Sequence, residues 1–276
     1  MLRKNAVKEK LKADQLVVGF RMEFASPLLV EVLGNVGFDF VFIDCEIRNG
    51  LSDQAVEEMI RVAESVNLTP IVRVPANRPE IIGNYLNQGA MGIIAPHCLN
   101  KEVTQSLVRA VKYPPEGERG IGGRSFSLSN MPLSDYVREA NKETMAIALI
   151  EDAEGVRNLS EIISVDGVDV IIVGQYNLSS SMGYPGELDH PEVRQAVEKI
   201  ISEARAAGKA VAVGPAPLQD PGKLKHFLNM GVRYMDFFTT DVIRGIARRL
   251  CKRSGIATAN VLQSSCKATR KRNWLK

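Results

Sequence analysis

The stretch VDVIIVGQYNLSSSMG (168–183) begins with a run that is apolar at nearly every position and ends in a polar, serine-rich segment. Such a run is typical of a strand that is covered on both faces, as in a parallel sheet. Similar runs recur along the chain. The eight predicted strands are 17–22, 40–46, 69–74, 92–97, 145–152, 168–174, 209–214 and 234–240.

Amphipathic segments separate these strands, with apolar residues at three- and four-residue spacing. The clearest are 26–37, 52–66, 101–112, 191–208 and 241–255. Eight strand–helix units in this length predict an α/β protein with a single (β/α)8 TIM barrel over residues 1–255, which typically takes about 250 residues. A GxGxxG motif after the first strand is absent, which argues against a dinucleotide-binding sheet.

One insertion breaks the regular spacing. YPPEGERGIGGRSFSLSN (113–130) is rich in glycine and arginine and precedes a further helical piece at 134–143. Loops of this length are usually functional or mobile. Because the insertion leads into the fifth predicted strand, we expect it to reach the barrel from the N-terminal ends of the strands.

Composition and charge exclude several classes of protein. The 276 residues are 45% hydrophobic and 24% charged, as in globular proteins, and no apolar run approaches the roughly 20 residues of a membrane helix. The formal net charge is +3, but the chain from residue 252 onward carries seven Lys and Arg and no acid, which leaves −4 for the rest. We predict a basic, solvated tail at 256–276 and no nucleic-acid partner.

The cysteines and the N-terminus indicate the compartment. Cys45, Cys98, Cys251 and Cys266 show no CxxC pair and no histidine at metal-binding spacing, which predicts free thiols in a reducing environment. The segment MLRKNAVKEKLKAD (1–14) lacks the apolar core of a secretory signal. We therefore expect a cytoplasmic protein with no membrane contact.

Polar residues at the strand ends are the candidates for chemistry, because (β/α)8 barrels carry their active sites at the C-terminal ends of the strands. Asp44 and Glu46 end the second predicted strand, Glu151 ends the fifth, and Asn177 follows the sixth. Carboxylate and amide oxygens suit Mg²⁺ or Mn²⁺, so we predict a divalent metal on Glu151 and Asn177, with Co²⁺ as a further candidate.

The same rim offers groups for an anionic substrate and for proton transfer. Arg73 can hold a carboxylate with two hydrogen bonds, and Ser179 and Ser180 can donate to the same anion. His97 ends the fourth predicted strand and can reach the pocket as an acid or base. Cys45 lies between two carboxylates, so we expect its side chain to point away from theirs and its pKa to be raised.

These residues and several longer stretches resemble the HpcH/HpaI aldolases, metal-dependent class II pyruvate aldolases of the pyruvate/phosphoenolpyruvate barrel superfamily. The likeness extends over about residues 17–250. It is carried by GFDFVFIDCE (37–46), PIVRVP (70–75), KYPPEGERG (112–120), IED (150–152) and GVDVIIVGQYNLSSSMGYPG (167–186).

The resemblance implies functional roles for Glu151 and Arg73 and a shared motif at Asp44 and Glu46. In the family, a Glu and an Asp hold the metal, an Arg steadies the keto or enolate oxygen of pyruvate, and a His takes part in proton transfer. Glu151 and Arg73 match the Glu and the Arg, while Asp44 and Glu46 match a D-x-E motif. The family also implies a homo-oligomer, a hexamer built as a trimer of dimers, in which the last helix is exchanged between subunits.

Three positions depart from the family pattern. The His is replaced by Ile47, the metal Asp by Asn177, and a Gln two residues before the metal Glu by Leu149. Asn177 keeps an oxygen donor but no charge, so we expect weaker metal binding. Ile47 cannot transfer a proton, and Leu149 makes the pocket drier.

Two functions from different classes remain open at this point. One is a divalent-metal-dependent carbon–carbon lyase, aldolase or condensing enzyme that acts on a small 2-oxo acid through an enolate. In it Arg73 holds the oxo acid, Asp44 or a water near Glu46 orients it, and either His97 replaces the missing base or the aldehyde or acyl partner needs none. The other is a non-catalytic relative that binds a 2-oxo acid or a partner. A phosphate-binding barrel is less favoured, because no glycine-rich loop follows the last two strands.

Overall fold

The structure is a computed structural model that describes residues 2–46, 51–217 and 220–254. Eight parallel strands form a closed barrel in sequence order, with the last strand paired to the first. They are β1 (Val17–Met22), β2 (Phe40–Asp44), β3 (Thr69–Arg73), β4 (Gly92–Ala95), β5 (Met145–Ile150), β6 (Val168–Gly174), β7 (Ala210–Gly214) and β8 (Tyr234–Phe238). The predicted TIM barrel is confirmed.

One helix precedes β1, others connect successive strands, and one follows β8. In the described residues they are α1 (Ala6–Lys12), α2 (Pro27–Val36), α3 (Asp53–Ser65), α4 (Pro79–Gln88), α5 (Lys101–Val111), α6 (Arg124–Ser127), α7 (Leu133–Glu143), α8 (Ala153–Arg157), α9 (Leu159–Ile163), α10 (Gln175–Ser181), α11 (Pro191–Ala206), α12 (Pro221–Asn229) and α13 (Thr239–Ser254). Ser26 and Ser52 cap α2 and α3, each accepting a hydrogen bond from the first helical turn. Gly37 and Gly89 end α2 and α4 in the left-handed conformation.

Five strands end earlier than the sequence predicts. β2 ends at Asp44, β4 at Ala95, β5 at Ile150 and β8 at Phe238, each two residues short of the predicted limit, and β3 ends at Arg73, one residue short. The residues beyond these limits leave the barrel ladder for the connecting segments, and after β8 the next residue, Thr239, already begins α13. The polar residues that follow the strands therefore belong to loops at the rim.

Alternation along the strands fills the barrel with apolar side chains. The interior cluster consists of Val7, Leu11, Val17, Phe40, Phe42, Ile71, Ile94, Met145, Ile147, Leu149, Val170, Ile172, Ala210, Ala212 and Tyr234. Successive strand residues point to opposite faces, so the next inward position lies two residues further along each strand. That position is Asp44 in β2, Arg73 in β3, Asp236 in β8 and Glu151 directly beyond β5; in β1 it is Gly19, and Arg21 is the inward position after that.

The N-terminal helix α1 closes the opposite end of the barrel, an element that the sequence analysis did not predict. Its Val7 and Leu11 pack with the interior cluster. Asn5 caps α1 by accepting the Lys8 N–H at 3.0 Å, and its Nδ2 donates to the carbonyl oxygens of Met91 at 3.1 Å and Glu143 at 2.8 Å. One buried amide thus ties α1 to the segments that precede β4 and β5.

The glycine- and arginine-rich insertion lies beside the N-terminal ends of the strands, as expected. Tyr113 donates its N–H to Asn141 Oδ1 at 2.7 Å and accepts from Asn141 Nδ2 at 2.9 Å. Its ring packs edge-on against Tyr136 of α7. Since α7 leads directly into β5, these contacts fix the insertion at that end.

The chain divides into two compact units, residues 1–238 and 239–276. The first contains the barrel; in the second, the described residues form the single helix α13. The predicted basic tail at 256–276 lies outside the described residues. Of the helices in the described ranges, none combines the length and apolar character that crossing a membrane requires.

We expect Asn5→Ala to lower the free energy of unfolding by about 2 kcal/mol, because it removes a helix cap and takes from the Glu143 carbonyl its side-chain donor. Urea denaturation measures this change. Asn35→Ala is the matched control, since Asn35 is exposed and donates only to Glu31 O. Equal stability of the two variants would contradict the anchoring role of Asn5.

Candidate active site

A buried ion pair lies at the centre of the C-terminal end of the barrel. Arg73 donates from Nε to Asp44 Oδ1 at 2.9 Å and from Nη2 to Asp44 Oδ2 at 2.6 Å. Both side chains are almost fully buried. Burial opposes the charge of Arg73, but the hydrogen bonds and charge of Asp44 outweigh it and raise the arginine pKa. Arg73 is therefore a fixed cation with a set orientation.

A second buried pair, Arg21 with Asp236, supports the first and was missed by sequence reasoning. Arg21 Nε and Nη2 both lie 2.8 Å from Asp236 Oδ2, and Nη1 lies 4.0 Å from Asp44 Oδ2. The Arg21 guanidinium also stacks over the rings of Phe42 and Phe238. Arg21 and Asp236 are charged residues at inward positions of buried strands, and this pattern in the sequence could have identified both residues.

Glu46, His97 and Glu151 form a cluster next to Arg73. One ligand atom of each lies within 4.8 Å of the others. Glu46 Oε2 is 2.7 Å from Arg73 Nη1, while burial raises the pKa of Glu46 against the opposing charge of Arg73. His97 Nδ1 bonds Asp152 Oδ2 at 2.8 Å, and this bond raises the histidine pKa. The ring of His97 remains half exposed at the rim.

Asn177 and Glu151 contact each other directly. Asn177 Nδ2 donates to Glu151 Oε2 at 2.7 Å, and the His97 backbone N–H donates to Glu151 Oε1 at 3.3 Å. Glu151 fits here because Gly174 faces it: a Cβ on Gly174 would lie 2.8 Å from Glu151 Cβ. Two donors thus hold the buried carboxylate of Glu151, and Gly174 leaves the space that this side chain occupies.

Arg21, Arg73, Glu151 and Asn177 line a cavity of about 70 Å³, which is room for several water molecules or a small organic acid. Phe42, Ile94, Leu149 and Ile172 form its apolar floor, while polar groups of the rim surround its mouth. Leu149 is almost fully buried and faces the cavity, as the sequence departure at this position implies.

Apart from Asp152, which pairs with His97, the acids of the described site outnumber its arginines by two. The four acids Asp44, Glu46, Glu151 and Asp236 face two arginines, Arg21 and Arg73. Carboxylates in excess over cations, together with an amide and an imidazole, form a donor set that a hard divalent cation fits. A Glu/His cluster suited to a metal ion is therefore present.

Other predicted site residues have different surroundings. Ser179 is buried, donates its hydroxyl to Tyr176 O at 2.8 Å and accepts the Gly186 N–H at 3.1 Å, whereas Ser180 is exposed. The substrate-binding role of both serines stays a prediction. Ile47, at the position of the family His, lies outside the described residues.

The thiol of Cys45 is largely buried, and its pKa rises to about 12. Burial is the largest cause; the neighbouring carboxylate of Asp44, which the sequence analysis held responsible, is a smaller one. Cys45, Cys98 and Cys251 are free thiols, as predicted, while Cys266 lies outside the described residues.

Fold and site together define a (β/α)8 barrel protein with an acid-rich site at the C-terminal ends of its strands. A sequence model of the HpcH/HpaI aldolase/citrate lyase family matches residues 19–232. The chain belongs to this family, and the resemblance seen in the sequence is confirmed.

Named relatives and a solved structure extend the likeness over most of the chain. The chain is 33% identical to a hydroxypyruvate/pyruvate aldolase of Roseobacter denitrificans, covering 84% of this chain and 89% of that protein. It is 33% identical to a 4-hydroxy-2-oxo-heptane-1,7-dioate aldolase of Salmonella dublin, covering 93% and 94%. The crystal structure of the citrate synthase SbnG superposes with a TM-score of 0.80 at 31% identity, covering 90% and 97%.

We expect Asp236→Asn to lower the free energy of unfolding by about 3 kcal/mol, because it removes the charge that compensates the buried Arg21. Urea denaturation of the two proteins gives the difference. Asp135→Asn is the control: Asp135 pairs with Arg138 on the surface, and such pairs contribute at most about 1 kcal/mol. Similar losses in both variants would show that the Arg21–Asp236 pair does not support the site.

Proposed function

We propose that the protein makes or breaks a carbon–carbon bond next to the carbonyl of a small, pyruvate-like 2-oxo acid, through an enolate and with a divalent metal. One observation carries the proposal: Arg73, fixed by Asp44, lines a small cavity together with Glu151, and Glu151 forms a cluster with Glu46 and His97. A fixed cation beside carboxylates and an imidazole suits the removal of a proton next to a carbonyl.

Arg73 stabilises the negative charge that develops on the substrate oxygen. Its Nε and Nη2 are engaged by Asp44 and its Nη1 by Glu46, so the guanidinium cannot rotate away from the cavity that it lines. A donor held in place before the reaction loses no free energy in reorienting when charge appears on the oxygen. Asp44 acts through Arg73 and is a positioning residue.

Glu151 and Asn177 would hold the metal, with Glu46 as a further oxygen donor at the same cluster. A divalent cation bound there supplies Lewis acidity toward a carbonyl oxygen. Mg²⁺ and Mn²⁺ suit carboxylate and amide oxygens, and Co²⁺ also accepts imidazole. Asn177 contributes no charge, so we expect the metal to be held less tightly than by two carboxylates.

His97 is the group that transfers protons. Asp152 engages its Nδ1, which orients the ring and leaves Nε2 on the other side, 3.9 Å from Glu46 Oε1. His97 thereby supplies the function that Ile47 cannot perform. The left-handed backbone at His97, with φ of 51°, sets the ring at this rim and is uncommon for a residue other than glycine.

The substrate class is supported by the named relatives. Their names specify a hydroxypyruvate/pyruvate aldolase, a 4-hydroxy-2-oxo-heptane-1,7-dioate aldolase and a citrate synthase. In all three reactions a bond is made or broken between the carbon next to one carbonyl group and a second carbonyl compound. We carry this shared chemistry, in either direction, to the present chain.

The free thiols support the predicted cytoplasmic compartment.

We further propose that the chain is a homo-oligomer in which α13 packs against another copy. Ile243, Ile246 and Leu250 recur at helical spacing on α13 and are about half exposed or more. A stripe of this kind favours burial against a partner. This proposal includes the exchange of the last helix and the assembly as a trimer of dimers.

The test of the proposed reaction is exchange of the C3 hydrogens of pyruvate for deuterium, followed by proton NMR. We expect exchange that needs both the protein and Mg²⁺, Mn²⁺ or Co²⁺, and that stops in EDTA. Arg73→Lys should slow it by about 100-fold or more, because the lysine cannot reproduce the fixed, forked donor. Arg78→Lys, an exposed arginine that pairs with Glu80, is the control and should exchange at the wild-type rate.

Two outcomes would overturn the proposed reaction. Exchange at the full rate in EDTA would exclude the metal dependence, and an unchanged rate in Arg73→Lys would exclude the role of the arginine. Binding of pyruvate without any exchange, with every metal, would favour the non-catalytic alternative instead.

The oligomer is tested by light scattering on a sizing column. We expect a mass several times the 30.3 kDa of one chain, and a shift toward smaller species in Ile246→Glu because a charge enters the apolar stripe. Arg248→Glu changes an exposed α13 residue outside the stripe and should leave the mass unchanged. A wild-type mass of one chain would rule the assembly out.

A further inference from the structure

A second cavity, of about 230 Å³, lies at the end of the barrel opposite the candidate active site. Its walls come from the N-terminal segment, the end of α4, the insertion and α7. Gly89–Met91 line it directly before β4, and Ala140 and Thr144 line it directly before β5. The cavity is thus separated from the candidate active site by the length of the strands.

Arg119 of the insertion lines this cavity and is buried without a counterion. It is 6% exposed, donates from Nη2 to Asn87 Oδ1 at 3.1 Å and stacks on Tyr113 at 4.4 Å. Its Nε is buried with no hydrogen-bond partner. Within the described residues no carboxylate lies within ion-pair distance of its guanidinium. Burial lowers its pKa, and a charge buried in this way is costly.

Two more arginines line the same cavity. Arg124 donates to Glu64 Oε2 at 2.7 Å and to Gln88 O at 2.9 Å. Arg3 donates from Nη2 to Leu68 O at 2.5 Å, while its Nη1 is buried without a partner. Two of the three guanidinium groups at this cavity therefore keep an unpaired donor.

The acids at the cavity do not balance these charges. Glu64 pairs with Arg124, and Glu143 is held by Lys4 Nζ and by the Asn5 N–H, each at 2.7 Å. Three arginines with one available carboxylate leave two positive charges at the cavity. An anion with two or more oxygens in the cavity would offset this charge by accepting hydrogen bonds from the guanidinium groups that line it.

We propose that this cavity binds a small organic anion, a carboxylate or a phosphate ester, through Arg119 and Arg3. The apolar part of the ligand is indicated by the remaining wall, which consists of Leu2, Leu86, Met91, Leu128 and Tyr136. The site is independent of the proposed reaction, since it shares no residue with the cavity at the catalytic rim.

Calorimetric titration and thermal unfolding of the full chain test the proposal with three probes: inorganic phosphate, phenyl phosphate and 3-phenylpropanoate. We expect at least one of the two organic probes to bind more tightly than inorganic phosphate and to raise the unfolding midpoint, because a ligand of the folded state stabilises it. Comparison of the two organic probes shows whether phosphate or carboxylate is preferred.

Arg119→Gln should weaken binding of the organic probe by about tenfold or more, and Arg3→Gln should weaken it as well. Arg109→Gln is the matched control, since Arg109 is a half-exposed arginine of α5 outside the cavity. Binding should also survive Arg73→Lys, which would remove it if the probes occupied the catalytic rim.

If Arg119 only stabilised the fold, Arg119→Gln would lower the unfolding midpoint and leave probe binding unchanged. If Arg119 binds an anion, Arg119→Gln without any anion should instead unfold at the wild-type temperature or above it, because the substitution removes an uncompensated buried charge. A lower midpoint together with unchanged probe binding would overturn the proposal. So would the absence of binding by every probe to the wild-type chain, or loss of binding in Arg73→Lys alone.

Discussion

Burial of two arginines inside a closed barrel is the constraint on which the site depends. Arg21 and Arg73 occupy the inward layer directly above the apolar interior, where an unpaired charge would be strongly destabilising. Asp236 and Asp44 compensate them, and the geometry of these pairs fixes where the guanidinium groups point. This layer sets the orientation of the candidate active site: Glu46 contacts Arg73, and the cluster of Glu46, His97 and Glu151 lies next to Arg73.

The pair of Glu151 and Asn177 explains how the site can depart from its family and still hold together. Two carboxylates at this distance repel one another unless a cation lies between them. With Asn177 the contact is a hydrogen bond from amide to carboxylate, so the buried Glu151 keeps a partner even without a metal. The excess negative charge that remains suits a divalent ion. The weaker metal binding that we propose and the stability of the site thus have the same cause.

The sequence predicted the barrel well, because every strand is an apolar run and the helices between them are amphipathic. It also predicted the rim residues Asp44, Glu46, Arg73, His97, Glu151 and Asn177, which the fold brings to one end, because strand ends of a parallel barrel converge. It missed Arg21 and Asp236, since attention to strand ends overlooks the inward layer below them. It missed α1 as well, because the end of a barrel is closed by tertiary packing and not by a pattern within one short helix. The surroundings of Ser179 depend in the same way on contacts that no local motif encodes.

The central claim is that Glu151 anchors a divalent cation whose affinity is reduced by Asn177. Electron paramagnetic resonance of Mn²⁺ titrated into the wild-type chain, Glu151→Gln and Asn177→Asp measures this directly. We expect one bound Mn²⁺ per wild-type chain, no binding at that site in Glu151→Gln, and affinity about tenfold higher or more in Asn177→Asp, where a second carboxylate adds charge. Equal Mn²⁺ binding by the wild-type chain and Glu151→Gln would contradict it.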